Sequence, residues 1–405
     1  MATITVTSAA DNTTVDGLIT LREAIEAANT NASVDGSVAG TAGLDTIVFD
    51  PSVFTNPVNV ISLNSIAGAL SIADNGGDLT IRGNDQNSVI ISGQGAVGVI
   101  GIANAGGSAN ITIEKLTIER GSVTGSGGGI RNPTNNATLT IRESTITGSS
   151  AGLSGGGVFS QNGNVNFINS TISGNFANLN GGGVSAPGGT IANATITGNA
   201  AGAGGPGNGG GVYSSGSITV RNTIIAGNVD ENGTGVNQRP DVAGSNPNSF
   251  VDQNNNIIGI SNGSTSFTNA TTRVLNTLTT ANVPISSIFG PLANNGGPTE
   301  THALVDGSVA IDGAGANGET TGQRGGAISG QRRDVGAFEA IAPEIDVTGN
   351  SVAIANGDTT PDTADNTDFG IVALGSATGI TKPFNIANLS SELSLFLAGS
   401  PVVSL

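Results

Sequence analysis

Residues 138–159 read TLTIRESTITGSSAGLSGGGVF, and two short words within this stretch recur along the chain. The Gly-Gly-Gly word recurs at intervals of 28, 26 and 28 residues, beginning at Gly127, Gly155, Gly181 and Gly209. The Thr-Ile word recurs at intervals of 28, 26, 24 and 28 residues, beginning at Thr117, Thr145, Thr171, Thr195 and Thr223. Two independent markers that keep nearly the same step indicate a structural repeat.

The first half of the repeat alternates between apolar and polar residues. Leu139 and Ile141 lie two residues apart, so both face the same side of a strand. A unit of about 26 residues, at about 3.3 Å per residue with corners, forms one coil of a three-sided solenoid. One coil cannot bury its apolar face alone, whereas stacked coils can. The repeat therefore predicts an all-β fold, a right-handed single-stranded parallel β-helix (a pectate-lyase-like solenoid) over residues 55–290.

A second row of residues follows the Thr-Ile words, at Gly174-Asn175, Gly198-Asn199 and Gly227-Asn228. Asn tolerates the left-handed backbone conformation and carries both a donor and an acceptor. We therefore predict a turn ladder in which each Asn is left-handed and bonds the Asn of the next coil. A row of asparagines that binds a ligand is the alternative.

The N-terminal segment contains one clear helix pattern, over residues 21–28. Thr20 and Glu23 match the Thr-x-x-Glu capping box, and Leu21, Ala24, Ile25 and Ala28 share one face. A solenoid exposes unpaired strands at its ends and needs caps. We predict that residues 1–54 form a short N-terminal helical cap.

Composition limits the function classes. The 405 residues carry 13 basic and 30 acidic side chains, a net charge of −17, which opposes nucleic-acid partners and anionic membrane surfaces. Cysteine is absent, which excludes disulfides and thiolate metal sites. No run reaches the roughly 18 apolar residues of a membrane span. Such a Cys-free, acidic, Gly-rich composition is typical of secreted bacterial proteins, so we predict an extracellular or bacterial cell-surface location.

Three segments resemble known bacterial families. LREA at 21–24 and DTIVFD at 45–50 resemble the CSLREA domain that begins secreted β-helix proteins, although Ile19-Thr20 replaces the family's Cys-Ser. NGGPT at 295–299, THAL at 301–304, QRG at 323–325 and DVGAFE at 334–339 resemble the choice-of-anchor Q domain. This second resemblance implies that residues 291–341 close an exported surface solenoid ahead of anchoring modules, and it carries no catalytic residues.

The last segment, residues 342–405, resembles part of the choice-of-anchor D domain, which is immunoglobulin-like. PEIDVTGN at 343–350, DFG at 368–370 and FNIAN at 384–388 carry the resemblance. It implies a partial immunoglobulin-like β-sandwich that lacks its final strands. An incomplete sheet edge predicts head-to-tail assembly with copies of the same chain, with the segment around Ile4 and Val6 as one candidate donor strand.

Few residues are candidates for metal binding. Asp358, Asp362, Asp365 and Asp368 are candidate calcium ligands, because calcium binds clustered carboxylate oxygens. A solvated loop is the alternative, and no other cofactor is predicted. His302, the only histidine, has no Cys or carboxylate at metal-ligand spacing, so we expect it to make structural hydrogen bonds.

Catalytic groups are absent from the most regular part of the repeat. Between Ser144 and Val229 the sequence has no Asp, Glu, His or Lys, and Arg221 is the only charged residue. Polysaccharide-active β-helix enzymes need paired carboxylates, or carboxylate-bound calcium with a base. The remaining candidates lie nearer the ends: Asp74, Asp78, Asp85, Glu114, Glu119, Glu143, Asp230, Glu231, Asp241 and Asp252.

The sequence therefore predicts a non-catalytic surface or structural protein rather than an enzyme. It would be a rigid rod of a surface layer, filament or adhesin that contacts cell-surface components or copies of itself. A secreted polysaccharide lyase, glycoside hydrolase or depolymerase is one alternative. A carbohydrate-binding solenoid with a polysaccharide partner is the other.

Overall fold

The structure, a computed structural model, describes most of the chain. The described residues are 1–55, 58–73, 77–85, 88–103, 109–133, 137–202, 209–232, 239–262, 264–275, 284–316, 319–330, 332–341, 345–354, 359–371, 380–388 and 392–394. The chain divides into two compact units, residues 1–339 and 340–405. The predicted fold class is confirmed, because the first unit is a parallel β-solenoid and the second contains an antiparallel sheet that fits a partial immunoglobulin-like domain.

Three parallel sheets form the sides of the solenoid. Sheet 1 has 14 strands: Ala2–Val6, Asp45–Phe49, Leu70–Ile72, Leu79–Arg82, Ile100–Ile102, Ile111–Glu114, Ile130–Asn132, Leu139–Arg142, Val158–Ser160, Val165–Ile168, Val184–Ala192, Val212–Arg221, Val242–Gly244 and Phe250–Asp252. Sheet 2 has nine: Val58–Ser62, Ser88–Ser92, Thr117–Glu119, Thr145–Thr147, Thr171–Ser173, Thr195–Thr197, Ile224–Ile225, Ile257–Ile258 and Arg273–Val274. Sheet 3 has five: Ser122–Val123, Ser150–Ala151, Phe176–Ala177, Ala200–Ala201 and Val229–Asp230.

The apolar positions of the repeat stack into rows that fill the core. In sheet 1 one row of paired residues is fully buried: Ile4, Ile47, Ile81, Ile113, Ile141, Phe167, Ile191 and Val220. Each of these residues packs on its equivalent in the next coil, about 4.8 Å away. Stacking therefore buries the apolar face that a single coil leaves exposed.

The predicted stacking of the Gly-Gly-Gly words is confirmed. The N–H of Gly156 donates to the carbonyl of Gly181 at 3.2 Å, and the N–H of Gly182 donates to the carbonyl of Gly209 at 3.3 Å. Gly155 has a φ of 67°, a conformation that side chains with a Cβ rarely adopt. The Gly-Gly-Gly segments therefore form one continuous corner of the solenoid, in which the backbones of successive coils lie in direct contact.

The Asn ladder forms, but its backbone differs from the prediction. Each amide Nδ2 donates to the Oδ1 of the next residue, from Asn175 to Asn199 at 2.9 Å and from Asn199 to Asn228 at 2.9 Å. The ladder ends on Asp241, whose Oδ1 accepts from Asn228 Nδ2 at 2.8 Å. The left-handed residue is the preceding glycine, as at Gly198 with a φ of 65°, so the prediction of a left-handed Asn is wrong.

One repeat is out of step with the sequence words. Thr195 pairs with Ile224, not with Thr223, so the last Thr-Ile word is displaced by one residue. The Asn ladder takes the same step, because Asn228 lies 29 residues after Asn199. The coil has gained one residue, and the pairing places Ile225 on Ile196.

The predicted N-terminal cap is present as the helix Leu21–Thr30. The capping box forms, with Thr20 N donating to Glu23 Oε2 at 2.9 Å and Glu23 N donating to Thr20 Oγ1 at 3.2 Å. The cap also supplies the strands Ala2–Val6 and Asp45–Phe49, which pair with each other in sheet 1. Ile4 and Val6 are buried in their own chain, and donation of this strand to a neighbouring copy stays a prediction.

The remaining elements are short. The 3-10 helix Ile285–Ser287 precedes an antiparallel pair, Phe289–Ala293 with Thr301–Leu304. The second unit contains the antiparallel strands Ile345–Gly349, Val352–Ala353 and Phe384–Asn388. Within the described residues, no helix has the length and apolarity needed to cross a membrane.

Candidate functional site

Residues 284–339, which we call the flank segment, lie along the side of the solenoid. The threonines of the Thr-Ile words hold this segment through their hydroxyl groups. Thr145 Oγ1 donates to the carbonyl of Glu300 at 2.6 Å, and Thr195 Oγ1 accepts from the N–H of Ala337 at 3.1 Å. Thr171 Oγ1 donates to Gln323 Oε1 at 2.7 Å. The sequence word therefore marks a docking surface, a role that the sequence analysis missed.

Gln323 is the central polar group of this contact. Its side chain is fully buried, and its Nε2 donates to Thr145 Oγ1 and Thr299 Oγ1, both at 2.9 Å. A buried amide with every polar atom bonded fixes position far better than an apolar contact. Gln323 thus sets the register of the flank segment on the coils.

A row of left-handed residues lies beside the threonines and also contacts the flank segment. Its members have φ values from 48° to 55°: Lys115, Glu143, Asn169, Asn193 and Asn222. Asn169 Oδ1 accepts from Arg333 at 2.7 Å, and Asn222 Nδ2 donates to the carbonyl of Gly315 at 2.8 Å. Each of these residues stands two positions before a strand of sheet 2, as does Asn255, which has a φ of 54°. This spacing is a signal in the sequence that we did not use.

Three carboxylates of the early coils lie beside cations: Asp85, Glu114 and Glu143. Arg82, Glu114 and Arg142 pair in register in sheet 1. Lys115 Nζ forms ion pairs with Asp85 and, at 3.6 Å, with Glu143. Burial raises the pKa of Glu143 above its ordinary range. Cations and carboxylates therefore alternate along these stacked rows.

The other end-coil carboxylates have diverse surroundings. Asp78 accepts from the N–H of Asn110 at 2.7 Å, and Asp252 accepts from Thr272 Oγ1 at 2.9 Å. Asp241 is 2% exposed, and its burial raises its pKa to about 6. Asp74 lies outside the described residues.

The flank segment contains a second perturbed carboxyl group. Burial, followed by the neighbouring Asp334 carboxylate, raises the pKa of Glu339 from 4.5 to about 7. Its two oxygens accept from the N–H groups of Ser329 at 3.2 Å and Asp334 at 3.1 Å. These bonds use both carboxyl oxygens inside the flank segment.

We expect Glu339 to make folding depend on pH. A raised pKa means that the folded state binds the proton more tightly, so stability falls as pH rises from about 4.5 to about 7. Glu339→Gln should reduce this loss by about 1–2 kcal/mol. The measurement is urea unfolding at several pH values between 5 and 8. If the free energy of unfolding changes with pH equally in both proteins, Glu339 is not the group responsible.

One row of sheet 1 faces outward. It holds the partly exposed aromatic side chains of the strands of this sheet that the structure describes. Arg131, Phe159, Ser185 and Tyr213 occupy successive positions of the row. Arg131 is exposed, and the two aromatic rings are half-buried. Arg131 also lines an open groove of about 580 Å³, whose floor includes Gly98 and Gly101. Phe167, by contrast, belongs to the core, as expected.

His302 makes the structural hydrogen bonds that the sequence predicted. Its Nδ1 donates to the carbonyl of Gly290 at 2.8 Å, which leaves Nε2 to accept from Ser173 Oγ at 3.0 Å. Burial lowers the pKa of His302, which keeps the ring neutral. The ring also packs on Phe289, with 5.1 Å between centroids. His302 therefore joins the flank segment to the coils.

The candidate calcium loop is a series of tight turns in the second unit. Asp362, Asp365 and Asp368 each accept a backbone N–H two residues ahead, at 2.7–2.9 Å. Asp358 lies outside the described residues. In the part of the chain that the structure describes, no three acidic, His or Cys side chains are grouped closely enough to hold a metal. The calcium hypothesis stays a prediction.

If the loop binds calcium, adding calcium raises the melting temperature of the second unit. Asp365→Asn should remove the gain, since the amide keeps the acceptor for Thr367 but loses the charge. Asp346→Asn, in the strand Ile345–Gly349, is the matched control. A calorimetric scan without a calcium-dependent shift would leave the loop as a solvated turn.

The geometry places this protein in the class of parallel β-solenoids, here with a flank segment bound along one side. It defines no narrower group. No family model, curated protein or solved structure matches the chain in any of three comparisons.

Proposed function

We propose that this protein is a non-catalytic extracellular surface protein. It acts as a rigid solenoid rod in a bacterial surface layer, filament or adhesin, with anchoring modules at its C-terminal side. The observation that carries the proposal is the uncharged centre of the rod, because Arg221 is the only charged residue between Ser144 and Val229. General acid–base chemistry relies mainly on His, Asp, Glu and Lys side chains, which these coils lack.

The ion pairs of the early coils also support a structural role. Asp85 and Glu143 share Lys115, and Arg142 pairs with Glu319 of the flank segment at 3.0 Å. A catalytic carboxylate pair normally faces an open cleft with space for a substrate. Here cations and the flank segment occupy the space between the carboxylates, which favours a structural role.

The test has two parts, on the intact chain. Antibodies against the folded protein should label unbroken cells of the source bacterium, and external protease should remove the signal. Labelling only after lysis would reject the surface location. In the second part, purified protein is incubated with a panel of acidic and neutral polysaccharides. No new reducing ends or unsaturated products are expected, and their appearance would establish the enzyme alternative.

Carbohydrate binding is the second candidate function, favoured by the row of Arg131, Phe159 and Tyr213. Phe159 and Tyr213 lie two coils apart, with Ser185 between them, and aromatic faces suit the apolar faces of sugar rings. The groove beside Arg131 is open to solvent. Binding to insoluble polysaccharides should weaken in Phe159→Ala and Tyr213→Ala. Phe176→Ala, which removes a half-buried ring of sheet 3, is the control. Equal binding by all variants would reject this surface.

A further inference from the structure

A cavity of about 390 Å³ lies where the flank segment meets the last coils. Asn255, Asn256 and Thr271 contribute amide and hydroxyl groups, and Arg273 and Arg332 contribute guanidinium groups. Its volume lies within the range of small-molecule sites. The cavity is distant in sequence from the aromatic row, and neither candidate function depends on it.

Two arginine side chains line this one cavity. Acidic residues outnumber basic ones by 30 to 13. Nevertheless, neither the Arg273 nor the Arg332 side chain makes a hydrogen bond or an ion pair with any described residue. Both side chains are exposed, so their positive charges face solvent at the opening of the cavity, where an anion can reach them. The pair therefore favours a negatively charged ligand.

The nearby carboxylates are committed to other groups. Asp252 Oδ1 accepts from Asn256 Nδ2 at 2.7 Å and from Thr272 Oγ1 at 2.9 Å. Asp312 Oδ1 accepts from the backbone N–H of Arg332 at 2.8 Å. These bonds hold the backbone around the cavity in place. They leave the two guanidinium groups available to a ligand.

The backbone of the cavity is fixed from both sides. Asn255 Nδ2 donates to the carbonyl of Gly313 at 2.8 Å, which joins the last coils directly to the flank segment. Arg273 belongs to the strand Arg273–Val274, which pairs in register with Ile257–Ile258. The two arginines thus come from elements that are anchored independently of any ligand, as a preorganised site requires.

We propose that this cavity binds an acidic sugar through its carboxylate. The planar guanidinium fork matches a carboxylate in a bidentate geometry, and two such forks select for the anion. The Oδ1 of Asn255 accepts from one sugar hydroxyl group, and the hydroxyl of Thr271 donates to another. The apolar side chains of Val309 and Val335 cover the ring carbons.

The experiment is isothermal titration of the full chain with galacturonate, with galactose as the uncharged match and inorganic phosphate as a second anion. Galacturonate should bind, and added salt should weaken it. Arg273→Gln and Arg332→Gln should each weaken binding about tenfold or more while leaving the melting temperature unchanged. Arg120→Gln, at an exposed arginine outside the cavity and outside the aromatic row, should bind galacturonate as the wild type does.

Three outcomes would overturn the proposal. The first is the absence of galacturonate binding. The second is equal binding of galactose, which would remove the role of the carboxylate. The third is equal binding of phosphate, which would make the cavity a general anion site. None of these outcomes bears on surface labelling, so the proposed function stands or falls separately.

Discussion

Gly156→Ala is expected to prevent the solenoid from folding, or to destabilise it by about 3–5 kcal/mol. A Cβ at this position would overlap the backbone carbonyls of Phe176 and Gly182 in the next coil. Both atoms belong to hydrogen-bonded backbone, so relief requires the two coils to separate. Separation would break the stacking of the apolar rows as well as the glycine corner.

The matched control for this change is Gly125→Ala. Gly125 lies near the same corner, but an added Cβ there meets no atom within 4 Å. Its backbone does not need a positive φ, so the substitution should change stability by less than about 0.5 kcal/mol. Denaturant unfolding followed by circular dichroism measures both variants, and similar midpoints would show that the coils are not in close contact at Gly156.

Asn199→Ala is expected to cost about 3–5 kcal/mol, because it breaks the ladder at its middle. The change removes the acceptor of Asn175 Nδ2, at 2.9 Å, and of Asn175 N, at 3.0 Å. It also removes the donor to the carbonyls of Ile172, at 3.0 Å, and Thr197, at 3.1 Å. All of these groups are buried, so no water replaces the lost partner.

Asn164→Ala provides the comparison, because Asn164 is exposed and its side chain makes no hydrogen bond with a described residue. Removing its side chain should leave the free energy of unfolding nearly unchanged. Hydrogen exchange should localise the Asn199 effect, with faster exchange at the N–H groups of residues 175 and 199 than in distant coils. Equal effects of the two substitutions would mean that the ladder contributes no net stability.

The repeat itself was predictable, for a physical reason. Stacked coils need equivalent residues at equivalent positions, so Gly155, Thr171 and Ile172 recur in the sequence as words. The capping box at Thr20 and Glu23 was predictable because all of its partners lie within four residues. Local rules are sufficient wherever the interacting groups are neighbours in the chain or in the repeat.

Other features depend on contacts that no local pattern encodes. The hydroxyl of Thr145 bonds the carbonyl of Glu300, 155 residues away, and Arg273 meets Arg332 on one cavity. The one-residue shift at Ile224 changes the pairing of the strand and leaves the Thr-Ile word itself unchanged. These positions become apparent only once the flank segment is placed on the coils.

The flank segment has a mechanical consequence. Bonds between coils run parallel to the long axis, so an axial pull strains them in tension, one coil boundary at a time. The segment is bonded at one end to Ser88, through the carbonyl of Pro298, and at the other to Asn255, through the carbonyl of Gly313. It therefore spans many boundaries as a second, parallel path for force. A stretched molecule must shear that path before the coils it spans can separate.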